Sequence, residues 1–219
     1  MSDLLPTLEG VLDLMLPLEC GGCGAPSTRW CAACAAELCA RAAQPQVVTP
    51  RLDPGVPVLA LGRYAGARRN AIIAVKEHGR ADLVAPLAQT LRIGLDRLLA
   101  WGLIDTPLTI VAAPTRTLAA RRRGGDPVAR LAARATADLT GVGVIRALRL
   151  TGFARDSVGL SSSQRQRNLA GRVRVTRPVL GAVIIVDDVV TTGATASESV
   201  RALRDAGVAV QAVLALASA

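Results

Sequence analysis

A chain of 219 residues has room for one full-sized α/β domain and a small appendage, and is cramped for two complete domains. Hydrophobic residues at 51% and charged residues at 20% exclude a disordered polymer, while aromatics at 2% require a core of Ala, Val and Leu and leave few flat side chains for stacking bases or sugars. The formal charge of +9 suits an anionic partner, whether a phosphorylated small molecule, nucleic acid or an acidic surface, without choosing among them.

From the N-terminus, the apolar stretch Leu4 to Leu18 reads as an amphipathic helix: it lacks the basic start of a targeting segment, and Asp3, Glu9 and Asp13 lie in or beside it. No run reaches the roughly 18 uncharged apolar residues of a membrane span, so a soluble, cytoplasmic protein with no membrane insertion is expected. All five cysteines then fall between positions 20 and 39. Cys20-Gly-Gly-Cys23 and Cys31-Ala-Ala-Cys34 form two CxxC pairs seven residues apart, each offering two thiolates from one tight turn to a tetrahedral metal. A structural zinc is expected, because disulfides do not persist in a reducing cytoplasm and a segment this short needs a crosslink to fold; redox or unliganded thiols are the alternatives. Cys39 is the spare, either a small buried apolar residue or a replacement for one of the four.

Ala43 to Pro57 carries four prolines and a glycine, the composition of an extended connection. The expected organisation is therefore an N-terminal helix and zinc ribbon over 1–45, a linker over 46–57 and the larger domain over 58–219. Within that domain Val58 to Tyr64 reads as a strand, Leu83 to Trp101 as a helix with apolar positions at three- and four-residue spacing, and Leu108 to Ala113 as a short buried strand. Pro127 to Leu139 reads as a helix with Pro in its first turn and Asp126 as its cap. Strand Ala182 to Val186, helix Ala196 to Ala206 with Gly207 as its stop, and strand Val208 to Leu216 complete an alternation that predicts βαβ units and a mostly parallel sheet flanked by helices.

Two features carry chemistry. Lys76 is the only lysine among 26 basic residues; an ammonium kept where Arg is otherwise used marks either a point charge needed as such or a leftover surface residue. His78, the only histidine, is not cast as a general base. The second feature is the run Val183-Ile184-Ile185-Val186-Asp187-Asp188-Val189-Val190-Thr191-Thr192-Gly193-Ala194-Thr195. A buried strand delivers Asp187 and Asp188 to the point where it is expected to leave the sheet, and Thr191, Thr192, Gly193, Ala194 and Thr195 then bring amides, hydroxyls and a helix N-terminus together where a phosphate would fit. Two carboxylates would repel that phosphate, so their partners should be sugar hydroxyls or hydrated Mg²⁺. A phosphorylated ribose satisfies both halves.

This run resembles the signature with which type I phosphoribosyltransferases bind phosphoribosyl pyrophosphate (PRPP). The resemblance implies that Asp187 and Asp188 hold the ribose 2′ and 3′ hydroxyls and that Thr191 to Thr195 cradle the 5′-phosphate. Together with the doubled CxxC, Tyr64, Val75-Lys76, Pro114 at a strand end, Arg123-Gly124 and the Arg-x-x-Asn of Arg165 and Asn168, nearly the whole chain is similar to the ComF family, in which a zinc ribbon precedes a phosphoribosyltransferase-like domain. Gly125 and Asp126 stand where that family commonly has an aromatic residue and Asn.

Arg121, Arg122 and Arg123 before two glycines suit a basic loop over a departing pyrophosphate, a solvated Arg run or a nucleic-acid contact. Arg165, Arg167, Arg172, Arg174 and Arg177 form a second basic stretch. The expected function is Mg²⁺-dependent phosphoribosyl transfer from PRPP to an unidentified acceptor, with Asp187, Asp188 and Lys76 as catalytic residues and Arg123 added to the PRPP contacts. The alternatives are a non-enzymatic factor that binds single-stranded DNA or works with a DNA-uptake helicase, and a PRPP-sensing regulator. Scarce aromatics weigh against the DNA reading, since stacking supplies about 1 to 3 kcal/mol per base in single-strand binders.

Overall fold

The computed structural model describes residues 18–115, 125–151 and 171–219. The expected helix at Leu4 to Leu18 therefore lies outside the described residues, apart from its last position, as do Arg121 to Arg123, Gly124, Arg165, Arg167 and Asn168.

The protein is an α/β structure around a six-stranded sheet. Helix α1 (Ala32–Ala42) precedes β1 (Gln46–Val47) and β2 (Val58–Ala60). Helices α2 (Gly66–Glu77) and α3 (Val84–Ala100) lead to β3 (Leu108–Ala112), and α4 (Pro127–Ala135) leads to β4 (Val142–Ile145). Strands β5 (Leu148–Leu150) and β6 (Val173–Val175) pair with each other; β7 (Ala182–Val190), α5 (Ala194–Asp205) and β8 (Val210–Ser218) follow. The sheet order is β1-β2-β8-β7-β3-β4, parallel throughout except for antiparallel β1 at one edge.

Burial on both faces of the central strands builds two apolar clusters. Ile110, Ile184, Val186 and Leu214 point to the face covered by α1 to α4, and their chain neighbours Val111, Val183, Ile185 and Val213 point to the face covered by α5 and the β5–β6 pair. This two-residue alternation is the geometry of an extended chain, and a strand covered on both sides reads as a continuous aliphatic run. In α5, Ala196, Val200 and Leu203 recur at four and three residues and supply the buried stripe. Asp126 caps α4 as expected, its Oδ1 accepting the N–H groups of Val128 at 3.0 Å and Ala129 at 3.3 Å, with Pro127 in the first turn.

Several boundaries differ from the periodicity, three of them by four residues. Strand β2 stops at Ala60, although Leu61 still donates its N–H to Ala215. Helix α4 ends at Ala135, where Thr136 turns its hydroxyl onto the Ala132 carbonyl. Strand β7 runs on to Val190, four residues past the expected end, because β8 keeps pairing with it as far as Val190 and Ser218. Helices α1 and α2 and the β5–β6 pair have no counterpart in the expected elements. Within the proline-rich stretch, Gln46 and Val47 pair with Ala60 and Leu59, and Cys20, Cys34, Leu38 and Ala42 share the buried cluster of α2 and α3.

Candidate functional site

Strand β7 loses one neighbour before it loses the other. Its pairing with β3 ends at Val186 and Ala112, with the Ala113 N–H donating to the Val186 carbonyl at 2.8 Å, whereas pairing with β8 continues past Asp187. Asp187 and Asp188 thus lie beyond the carboxyl end of β3 while β8 still holds their backbone. Helix α4, the next described element after β3, packs on one face of the sheet, and α5, which follows β7, packs on the other. A crevice between strands whose connections diverge is where open α/β sheets bind ligands.

Asp188 is buried at 7% exposure, and its Oδ2 lies 2.6 Å from Lys76 Nζ at the end of α2. Its Oδ1 accepts the Val189 N–H at 2.7 Å, and Asp187 Oδ1 accepts the Asp188 N–H at 2.8 Å. Asp187 is half-buried; burial and the adjacent Asp188 carboxylate push it up to about 8, against the downward pull of the Asp188 N–H and the Lys76 ammonium. The pair therefore has one acid tied to a cation and one that holds its proton more firmly than an ordinary aspartate. Two like charges this close favour that division.

The turn after β7 leads directly into α5, with Gly193 at its N-cap. Gly193 has φ 82°, and a Cβ there would stand 2.4 Å from the Leu52 carbonyl oxygen and 2.7 Å from Pro50 Cβ, so no other residue fits without displacement. The Leu52 N–H also donates to the Thr192 carbonyl at 2.9 Å, so the proline-rich stretch straps one side of the turn. Thr191 remains exposed and Thr192 and Thr195 half-exposed. Amides at the start of a helix lack intrahelical acceptors, and those of α5 begin at this turn.

Of the residues picked out by sequence, Asp187, Asp188 and Lys76 come together, with Thr191, Thr192, Gly193, Ala194 and Thr195 next along the chain. Tyr64 is half-buried, donates its N–H to the Ser218 carbonyl at 2.7 Å and carries the Arg69 guanidinium 5.9 Å from its ring centre. Buried Pro114 ends the β3 exit, and Thr115 beyond it donates its hydroxyl to Asp126 Oδ2. That bond ties together the two ends of the segment containing Arg123. It also gives Asp126 a second task besides capping, which is the local reason for an acid at that position. His78 is exposed at the C-cap of α2. The Pro50–Leu52 strap escaped sequence reasoning, because nothing in a proline-rich composition says which turn it will cross.

The four cysteines form a second cluster. The sulfurs of Cys20, Cys23, Cys31 and Cys34 all lie within 4.8 Å of one another, and Cys23 and Cys31 Sγ are 3.6 Å apart. Zn–S bonds of about 2.3 Å in a tetrahedron require sulfur separations of roughly 3.8 Å, so the set fits a four-coordinate metal ion with little adjustment. Cys31 is the N-cap of α1 and Cys34 sits in its first turn; Cys20 and Cys23 come from a turn closed by the Gly24 N–H on the Cys20 carbonyl at 2.9 Å. Gly22 lets the strands of this knot meet, since a Cβ there would lie 2.7 Å from Cys34 Sγ, and Asn70 Nδ2 donates to its carbonyl at 2.7 Å. Burial raises the Cys20 thiol, but the N–H groups of Cys23, Cys31 and Gly22 outweigh it and bring the group down to about 6. Cys34 is pushed up by burial and by the three neighbouring thiols. Half-buried Cys39 stands outside the set.

Among the described residues, no helix is long and apolar enough to cross a membrane. In comparison with known proteins, no family model and no curated protein matches the chain.

Proposed function

We infer that this is a PRPP-binding, phosphoribosyltransferase-like protein of the ComF kind, transferring a phosphoribosyl group to an unidentified acceptor with loss of pyrophosphate. The observation that carries this reading is the position of Asp187 and Asp188, at a crevice between diverging β3 and β7 and directly ahead of a threonine-lined helix start. Acids there can take sugar hydroxyls, and the turn can take a 5′-ester phosphate, so one ligand meets both. Lys76 holds Asp188 in place and supplies positive charge where an anionic leaving group would gather it. Mg²⁺, when bound with PRPP, would absorb charge growing on the pyrophosphate. Among the described residues no side-chain nucleophile with a partnering base stands at the crevice, which suits a reaction through an electrostatically stabilised oxocarbenium-like centre. Zinc held by Cys20, Cys23, Cys31 and Cys34 has a structural role in this reading, because the set fills all four positions and leaves none open to substrate.

Calorimetric titration with PRPP and Mg²⁺ tests the site. Asp187→Asn combined with Asp188→Asn should weaken binding about a hundredfold, from the loss of the carboxyl hydrogen bonds to both ribose hydroxyls; unchanged affinity overturns the reading. Pyrophosphate release across a panel of nucleobases then separates an enzyme from a PRPP-sensing regulator. The charge of +9 favours, as a second reading, a factor that binds single-stranded DNA through its phosphates. No binding to a single-stranded oligonucleotide at low salt would remove it.

A further inference from the structure

A cavity of about 320 Å³ opens where the chain leaves β2, two strands away from the acid pair and at the same carboxyl rim of the sheet. Its volume is near the lower end of the range for small-molecule pockets, about 300–1,000 Å³. Arg41, Arg63 and Arg68 line it, with Gln44 and Gln46 as neutral polar groups and Glu37 as the one acid. Arg41 and Arg63 are exposed, whereas Arg68 is only 3% exposed.

Arg68 is a costly group to bury. Its guanidinium donates to the Leu216 carbonyl at 3.1 Å and the Leu38 carbonyl at 3.4 Å, and among the described residues no carboxylate lies within ion-pair distance of it. Two neutral acceptors leave most of its five N–H donors unanswered, and its charge is offset only from beyond ion-pair distance, chiefly by Glu37. The start of α2 adds to the imbalance: Ala65 caps it with no side-chain hydrogen bond, its first turn holds no acid, and Gly66 and Ala65 both line the cavity. Arg68 and Arg69 stand near that positive helix end, where anions rather than cations are favoured. A buried guanidinium, two exposed ones and an uncapped helix start thus converge on one cavity with a single opposing carboxylate.

The geometry points to a second ligand site in this cavity, for the phosphate group of a small molecule, held by Arg41, Arg63, Arg68 and the first amides of α2. Planar guanidinium forks and helix-start amides are the donors that match phosphate oxygens. The local excess of cations over Glu37 suits a dianion better than a monocarboxylate. The site is separate from the PRPP reading: it uses none of Asp187, Asp188 or Thr191 to Thr195, and it stands or falls without them.

The experiment follows backbone amide resonances of the full chain on addition of inorganic phosphate at low ionic strength, with ribose 5-phosphate, ribose and a single-stranded oligonucleotide as further arms. Inorganic phosphate and ribose 5-phosphate should shift Arg63, Ala65 and Gly66, and ribose should not. Arg41→Gln with Arg63→Gln, both at exposed positions, should weaken the effect on those amides about tenfold or more, as expected for lost charged hydrogen bonds. Glu37→Gln should strengthen it by removing the opposing charge. Asp187→Asn with Asp188→Asn should leave these shifts unchanged while weakening PRPP binding about a hundredfold, so either site can fail alone. Silence at Arg63 to Gly66, shifts undiminished in the double arginine variant, or a response to the oligonucleotide but not to inorganic phosphate would each overturn the proposal.

Discussion

The cysteine cluster and the acid pair both gather like ionisable groups into a small space, and they resolve the resulting repulsion differently. Four thiols within 4.8 Å of one another can all ionise only around a cation, and their near-tetrahedral spacing leaves no position for anything else. Asp187 and Asp188 are relieved by a protein cation on one side, Lys76, and by a retained proton on the other. A cluster whose charge is answered by one enclosed ion is suited to holding structure. One answered by a proton and a half-exposed lysine can exchange both for a ligand.

Removing a member of the first cluster should have the largest effect. Structural zinc in isolated peptides contributes about 10 to 16 kcal/mol of apparent binding free energy, and Cys34 is also buried in the cluster shared with α2 and α3. Cys34→Ser should abolish stoichiometric metal by elemental analysis and lower the thermal midpoint more than any substitution at the acid pair. Equal midpoints with and without a chelator would end the structural role for a metal.

At the second site, Gly193→Ala forces a left-handed backbone on alanine and drives its Cβ into the Leu52 carbonyl. A loss of about 2 to 4 kcal/mol is expected in urea unfolding, from the left-handed penalty and the overpacking together. PRPP affinity should fall with it, since the strap must shift. Lys76→Met leaves Asp188 buried without its cation, and a cost of about 1 to 3 kcal/mol is expected, between that of exposed and fully buried pairs. Lys76→Arg should recover only part of it, because a planar fork replaces a point charge.

A further effect concerns pH. Folded Asp187 keeps its proton up to about 8, whereas an unfolded aspartate releases it near the ordinary value of about 4. Between those values the native state binds the extra proton, so Asp187 makes folding less favourable as pH rises through that window, and the loss is complete above about 8. Denaturation midpoints should decline over this range in the parent and flatten in Asp187→Asn. A decline of equal slope in both would show that Asp187 does not govern it.

Much of this arrangement is legible in the residue order, wherever the information is local. A β-branched run such as Val183 to Val186 favours a strand buried on two faces, Asp126-Pro127 suits a helix start, and two CxxC pairs bring their own turns. The acid pair and threonine turn are contiguous, so their proximity needs no fold at all. Lys76 stood out by composition alone, as the single lysine, but composition said nothing about where it pointed.

Only tertiary structure joined Lys76 to Asp188, residues far apart in the chain that meet because α2 packs over the face to which Ile184 and Val186 also point. It likewise carried β7 past its expected end, laid Pro50 to Leu52 across Gly193, and buried Arg68 beneath a cavity where periodicity would leave an arginine in water. The reason is the same in each case. Residue order determines which local conformations are cheap, while burial, strand partners and the facing of charges depend on which distant segments arrive beside them.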